Sequence, residues 1–166
     1  MDKRKFKGKN LRKCRISIIG NVYSITICTQ NKQYIFHSFK AARILINAMR
    51  FQDERDYTET IAFVVMPDHL HWLFELKESE LSKIVHSIKS FCSHKIELLN
   101  WQEGYYEHQL RNEESIMKHS RYIVANPLRA RLVSDIGLYP HWDAVWLTGE
   151  IRAETDAPTD YLRDNT

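Results

Sequence analysis

TETIAFVVMPDHLHWLFEL, residues 58–76, reads as two β-strands joined by a tight turn. Residues 60–66 are apolar and β-branched enough for a buried strand, and Pro67-Asp68 is a turn signal that ends it. A second strand follows at once. Side chains alternate across a strand, so His69 and His71 project from one face while Leu70 and Trp72 point the other way. Two neutral imidazoles side by side can hold a divalent metal if a third group joins them. The ordinary alternative is a pair of half-exposed histidines hydrogen-bonded to neighbours, and this stretch alone leaves both open.

Working outward, VYSITICT (22–29) alternates as a half-buried strand after a Gly20-Asn21 turn. Ser38 is an N-cap candidate, and Ala41, Ala42, Ile44, Leu45, Ala48 and Met49 fall on one side of a helix that ends near QDERD (52–56). Beyond the hairpin, residues 79–100 form the clearest amphipathic helix, with Leu81, Ile84, Val85, Ile88, Cys92, Ile96 and Leu99 on one stripe. Lys83, His86, Lys89 and His94 lie off that stripe and read as solvated. YYEHQL (105–110) reads as a fourth strand. The order β-α-β-β-α-β is the ferredoxin-like, RRM-like α+β arrangement, an antiparallel sheet with both helices on one face. It predicts a free opposite face with the two histidines near its middle.

Residues 113–126 form a further helix, ended or kinked by Pro127. Stepping ~100° per residue places Ile116, Met117, Ile123 and Val124 on one side. Ser115, Lys118, His119, Tyr122 and Asn126 fall on the other, so Tyr122 belongs to a polar face. From Ser134 the chain is turn-rich but carries Tyr139, Trp142 and Trp146, which predicts a C-terminal flap packed on the domain. The expected organisation is a basic arm (1–15), one domain (16–149) and a polar, fraying tail (150–166).

With 166 residues, 43% hydrophobic and 11% aromatic, the chain can bury a core, which excludes a disordered protein. Cys14, Cys28 and Cys92 have no paired spacing, so neither a disulfide framework nor a cysteine zinc site is expected, in keeping with a cytoplasmic location. No apolar run approaches the ~20 residues of a membrane helix. The net charge is only +3, yet the first fifteen residues hold eight Lys and Arg against Asp2. Such an arm suits a phosphate backbone, and equally a solubilising terminus.

Two histidines on a sheet face, a tyrosine on a polar helix face, an amide one turn further and a basic arm are the parts of a phosphoryl-transfer site. A bound Mg²⁺ or Mn²⁺ polarises a scissile phosphate while a tyrosine hydroxyl attacks phosphorus in line. Free tyrosine titrates near ~10, so the site must help remove the proton or stabilise the phenolate.

At VVMPDHLHWLFEL, WQEGYYEHQLRNEES, RYIVANPLRARLV and YPHWDAVW the chain resembles the HUH single-tyrosine transposases, most closely the REP-associated tyrosine transposases of bacteria. The resemblance implies that His69 and His71 are metal ligands and that Tyr122 forms a 5′-phosphotyrosine, releasing a 3′-hydroxyl. Insertion-sequence relatives place a glutamine one helical turn after the tyrosine as third ligand; here that position is Asn126, whose alternative role is a helix cap before Pro127. The implied substrate is single-stranded DNA with a REP-type hairpin and a short tetranucleotide at its foot. Charge and placement nominate Arg4, Arg12 and Arg15 for hairpin or backbone contact, and Tyr105, Arg111 and Lys118 nearer the active site. The resemblance favours a monomer with the tyrosine acting in cis. The rivals are an RRM-like module that holds single-stranded nucleic acid without cutting it, and a hydrolase that uses the histidines to activate water.

Overall fold

The computed structural model describes residues 16–145. Its strands are β1 (Val22–Cys28), β2 (Thr58–Met66), β3 (His69–Leu76), β4 (Tyr106–Leu110) and β5 (Trp142–Ala144). Helices α1 (Phe39–Glu54), α2 (Leu81–Lys95), α3 (Glu113–Val124) and α4 (Asn126–Arg129) complete it. The sheet order is β4-β1-β3-β2-β5, with every neighbouring pair antiparallel. The first four strands thus form the expected ferredoxin-like sheet, with β1 and β3 central, and β5 extends it beyond β2.

Alternation along β3 sorts its residues as the sequence requires. Leu70, Trp72, Phe74 and Leu76 are fully buried in one core with Leu45 and Met49 of α1 and Ile84 and Ile88 of α2. The Trp72 and Phe74 rings lie 4.1 Å apart, and the indole N–H of Trp72 donates to Thr60 Oγ1 at 2.9 Å. Because no water reaches Phe74, Phe74→Ala is expected to cost about 3–5 kcal/mol of stability, measured as a fall in the urea unfolding midpoint. The same truncation at exposed Leu138 should leave the midpoint nearly unchanged.

The helix ends follow local chemistry. Ser38 Oγ accepts from Ala41 N and caps α1. Asn112 caps α3 by accepting from Ser115 N at 2.8 Å. The helix expected from residue 79 starts later: Ser79 takes φ +77, α2 starts after Glu80, and the orphan N–H of Leu81 is met by Ser17 Oγ at 3.1 Å. Nor is Lys89 a solvated side chain, since its ammonium donates to the carbonyls of Gln102 (2.8 Å) and Gly104, tying the 101–104 loop to α2.

The opposite sheet face is not free. A second core joins Val22, Ala62, Val64, Leu73 and Leu110 of the sheet to Ile123 and Val124 of α3 and to Ile136. A helix whose apolar stripe includes Ile123 and Val124 has to bury it, and the uncovered sheet face is the apolar surface within its reach. The C-terminal flap is a paired strand, with Tyr139 Oη donating to Val65 O (2.7 Å) and Trp142 Nε1 to Ile136 O (3.0 Å). Trp146, the basic arm and the 150–166 tail lie outside the described residues.

Candidate active site

The site starts from the register of β3 between β1 and β2. His71 faces Thr26 across one pairing and Val64 across the other; His69 faces Cys28 and Met66. Both imidazoles therefore stand on the α3 side, with Nε2 of His69 only 3.1 Å from Nε2 of His71. Their rings meet edge to face, 4.7 Å between centroids.

Each imidazole is oriented from its other nitrogen. His69 Nδ1 lies 2.6 Å from Asp68 Oδ1, and a carboxylate can only accept there, so Nδ1 carries a proton, and in the neutral ring the lone pair is on Nε2. His71 Nδ1 lies 2.8 Å from Thr26 Oγ1. A hydroxyl can donate or accept, so Thr26 serves either His71 tautomer. With Nε2 protonated, His71 donates to His69; with Nδ1 protonated, both Nε2 lone pairs converge on one point. Burial, with the charges of His69, His119 and Arg129 adding to it, pushes His71 down to about 3. The ring is neutral at working pH, as a ligand must be.

The pair fits a divalent ion. Nitrogens that each lie about 2.1 Å from one ion stand about 3 Å apart when they subtend roughly a right angle. Among the described residues no group of three or more His, Cys, Asp or Glu side chains is placed to hold a metal. A third donor from the described residues would therefore be an amide, a carbonyl or a hydroxyl. The structure also gives Asp68 a role beyond the turn assigned to it from sequence. It is the outer partner of His69, and the signal was its adjacency to H-x-H.

His119 reaches the sheet beside the buried apolar stripe of α3, where the sheet offers a polar partner. His119 Nε2 pairs with buried Ser24 Oγ at 2.7 Å, two residues along β1 from Thr26. The His119 ring lies 6.0 Å from that of Tyr122, at 28° between planes, and 6.4 Å from that of His108. Tyr122 is half-buried. The Arg129 guanidinium covers its ring at 3.6 Å, and the Arg129 charge also acts on His71, so the tyrosine and the histidine pair belong to one region of the same chain.

Asn126 caps the end of α3. Its Nδ2 donates to the carbonyls of Ile123 (3.0 Å) and Tyr122 (3.3 Å), and its Oδ1 accepts from Arg129 (2.9 Å). Lys118 and Arg111 are exposed. Tyr105 packs on the α1/α2 core, whereas Tyr106, paired with Thr26 and 65% exposed, stands on the histidine side. The sequence marks two adjacent tyrosines; which one faces the site depends on where β4 pairs. Arg4, Arg12 and Arg15 lie outside the described residues.

Burial, together with the nearby charge of His108, pushes His119 down to about 4 from its ordinary 6.5. His71 and His141 are pushed down in the same sense. The unfolded chain then takes up protons that the folded chain refuses. The stability contributed by these histidines is complete above pH 6.5 and is lost as pH falls through the range toward 4. We expect the Tm of the metal-free protein to be level between about pH 7 and 8 and to drop between pH 6.5 and 4, with His119→Gln making the drop shallower. An unchanged acid limb in that variant would contradict the assignment to His119.

No helix among the described residues is long and apolar enough to cross a membrane. A family profile described as Transposase IS200 like matches residues 18–126, which span β1 to the start of α4. The REP-associated tyrosine transposase of Escherichia coli K12 is 28% identical over 131 residues, covering 76% of this chain and 78% of that protein. A solved structure of a REP-associated tyrosine transposase bound to a REP hairpin superposes with a TM-score of 0.68 at 25% identity, covering 77% of this chain and 79% of the other. The chain belongs to the IS200-like transposases, and its likeness within them is to the REP-associated single-tyrosine enzymes.

Proposed function

We propose that this chain is a metal-dependent single-strand DNA endonuclease and strand transferase that acts at REP-type hairpins through a 5′-phosphotyrosine on Tyr122. The observation that carries the reading is the convergence of the two Nε2 atoms at 3.1 Å on the sheet face where the tyrosine helix is docked. The hairpin bound to the structural relative supports the substrate class.

His69 and His71 would hold the ion, Mg²⁺ or Mn²⁺, and the Asn126 oxygen would join them through its second lone pair, the first being taken by Arg129. When bound, the ion supplies Lewis-acid polarisation of the scissile phosphate and neutralises charge developing on it. Asp68 and Thr26 keep the two imidazoles turned toward each other. Tyr122 Oη forms a bond to phosphorus as the bond from phosphorus to the 3′-oxygen breaks. The phenol proton passes to solvent, and the departing oxygen takes one up as a 3′-hydroxyl. Phosphodiester energy is kept in the new ester, so another 3′-hydroxyl can reverse the step and rejoin a different end. Exposed Tyr106 and His108 offer a surface for unpaired bases beside the site, where stacking needs no base-edge code.

The His119–Ser24 contact docks α3 on its own sheet, which supports a tyrosine acting in cis and a monomer. The basic arm would grip the hairpin backbone, with Arg111 and Lys118 on the exposed surface near the site. The test is incubation of the protein with labelled single-stranded DNA carrying a REP-type hairpin, with Mg²⁺ or Mn²⁺. A denaturation-resistant adduct is expected. Cleavage without an adduct would identify a water-using hydrolase, and binding without cleavage would identify a nucleic-acid-binding module.

A further inference from the structure

Arg129 was not singled out by the sequence, yet it is packed directly on the candidate nucleophile. It lies in α4, past the break at Ala125, and its side chain folds back over the end of α3. Its Cζ sits 3.6 Å from the centre of the Tyr122 ring. Its Nη1 donates to the Tyr122 carbonyl at 3.1 Å and its Nη2 to Asn126 Oδ1 at 2.9 Å. An exposed arginine is rarely held at three points, because fixing its side chain costs rotamer entropy. The phenol oxygen is bonded directly to the ring that the guanidinium covers, so charge developing on that oxygen arises next to the cation.

We propose that Arg129 is the positioning residue of the transfer step, pinning the Tyr122 ring and placing a fixed positive charge beside the oxygen that attacks phosphorus. This rests on Tyr122 being the nucleophile. As the phenol gives its proton to solvent and forms the oxygen–phosphorus bond, negative charge builds on the oxygen and spreads into the ring. A cation on the ring face attracts that charge more strongly than it attracts the neutral ring. The planar fork matters as well. Lysine could keep the charge over the ring, but not both hydrogen bonds in the same geometry.

The experiment compares single-turnover adduct formation by the full chain, at saturating hairpin DNA with Mn²⁺, among wild type, Arg129→Gln and Arg129→Lys. DNA affinity is measured separately without metal. We expect Arg129→Gln to slow adduct formation about 100-fold with affinity almost unchanged, and Arg129→Lys to recover part of the rate. In NMR spectra of the free protein, the Arg129 side-chain protons should be shifted upfield by the ring, a shift kept in Tyr122→Phe and lost in Tyr122→Ala. An unchanged rate in Arg129→Gln, or a loss explained wholly by weaker DNA binding, would overturn the inference. Absence of any adduct from the wild type would instead sink the nucleophile assignment, with the upfield shift still reporting whether the clamp exists.

Discussion

Tyr122→Phe is expected to abolish the covalent protein–DNA adduct while leaving the protein folded and able to bind the hairpin. The substitution keeps the ring that Arg129 covers and His119 flanks, and removes only the hydroxyl. The stability change should therefore be small, about 1 kcal/mol or less. The loss of rate should be on the order of 10⁴-fold or more, as for removal of an attacking group that no neighbour replaces. Gel separation under denaturing conditions reads the adduct, and a binding titration reads affinity. Adduct surviving in this variant would mean that another residue attacks, and cleavage surviving without adduct would mean that water does.

His71→Ala has a different signature. His71 is the inner member of the pair, held between Thr26 and His69 and kept neutral by burial. Its removal takes away one of two converging nitrogens and leaves the Thr26 hydroxyl without its partner. Mn²⁺ binding, followed by electron paramagnetic resonance of the free protein, should weaken by at least about 100-fold, and cleavage should fall with it. Circular dichroism separates this from unfolding. Asp68→Asn should do less, about 10–100-fold, because His69 stays in place and loses only the charge on its orienting partner. Mn²⁺ affinity unchanged in His71→Ala would remove the histidine pair from the metal site.

The contrast between Tyr105 and Tyr106 shows how far local pattern reaches. Tyr106 opens β4 and Tyr105 immediately precedes it, and alternation alone says that they face opposite sides. The side that faces His71 depends on Tyr106 pairing with Thr26, a contact between strands about eighty residues apart in the chain. Lys89 makes the same point: its helical position is exposed by periodicity, but a loop that returns from residue 101 covers it.

What the sequence determined by itself were the features with short-range causes. Alternation over residues 69–76 put the two histidines on one face and Leu70, Trp72 and Phe74 on the other. Helical spacing made α1 and α2 amphipathic, and Ser38 closed the start of α1. The order of elements then selected the ferredoxin-like sheet, because few other arrangements bury two helical stripes on one antiparallel face. Tertiary structure alone decided what stands beside what. It laid α3 across the face expected to be free, since its buried stripe needed the apolar part of that face and His119 needed Ser24. It set Thr26 against His71 and Arg129 against Tyr122. Such contacts join residues whose own neighbours in the chain carry no record of the pairing, so they exist only once the register between strands and the docking of α3 are fixed.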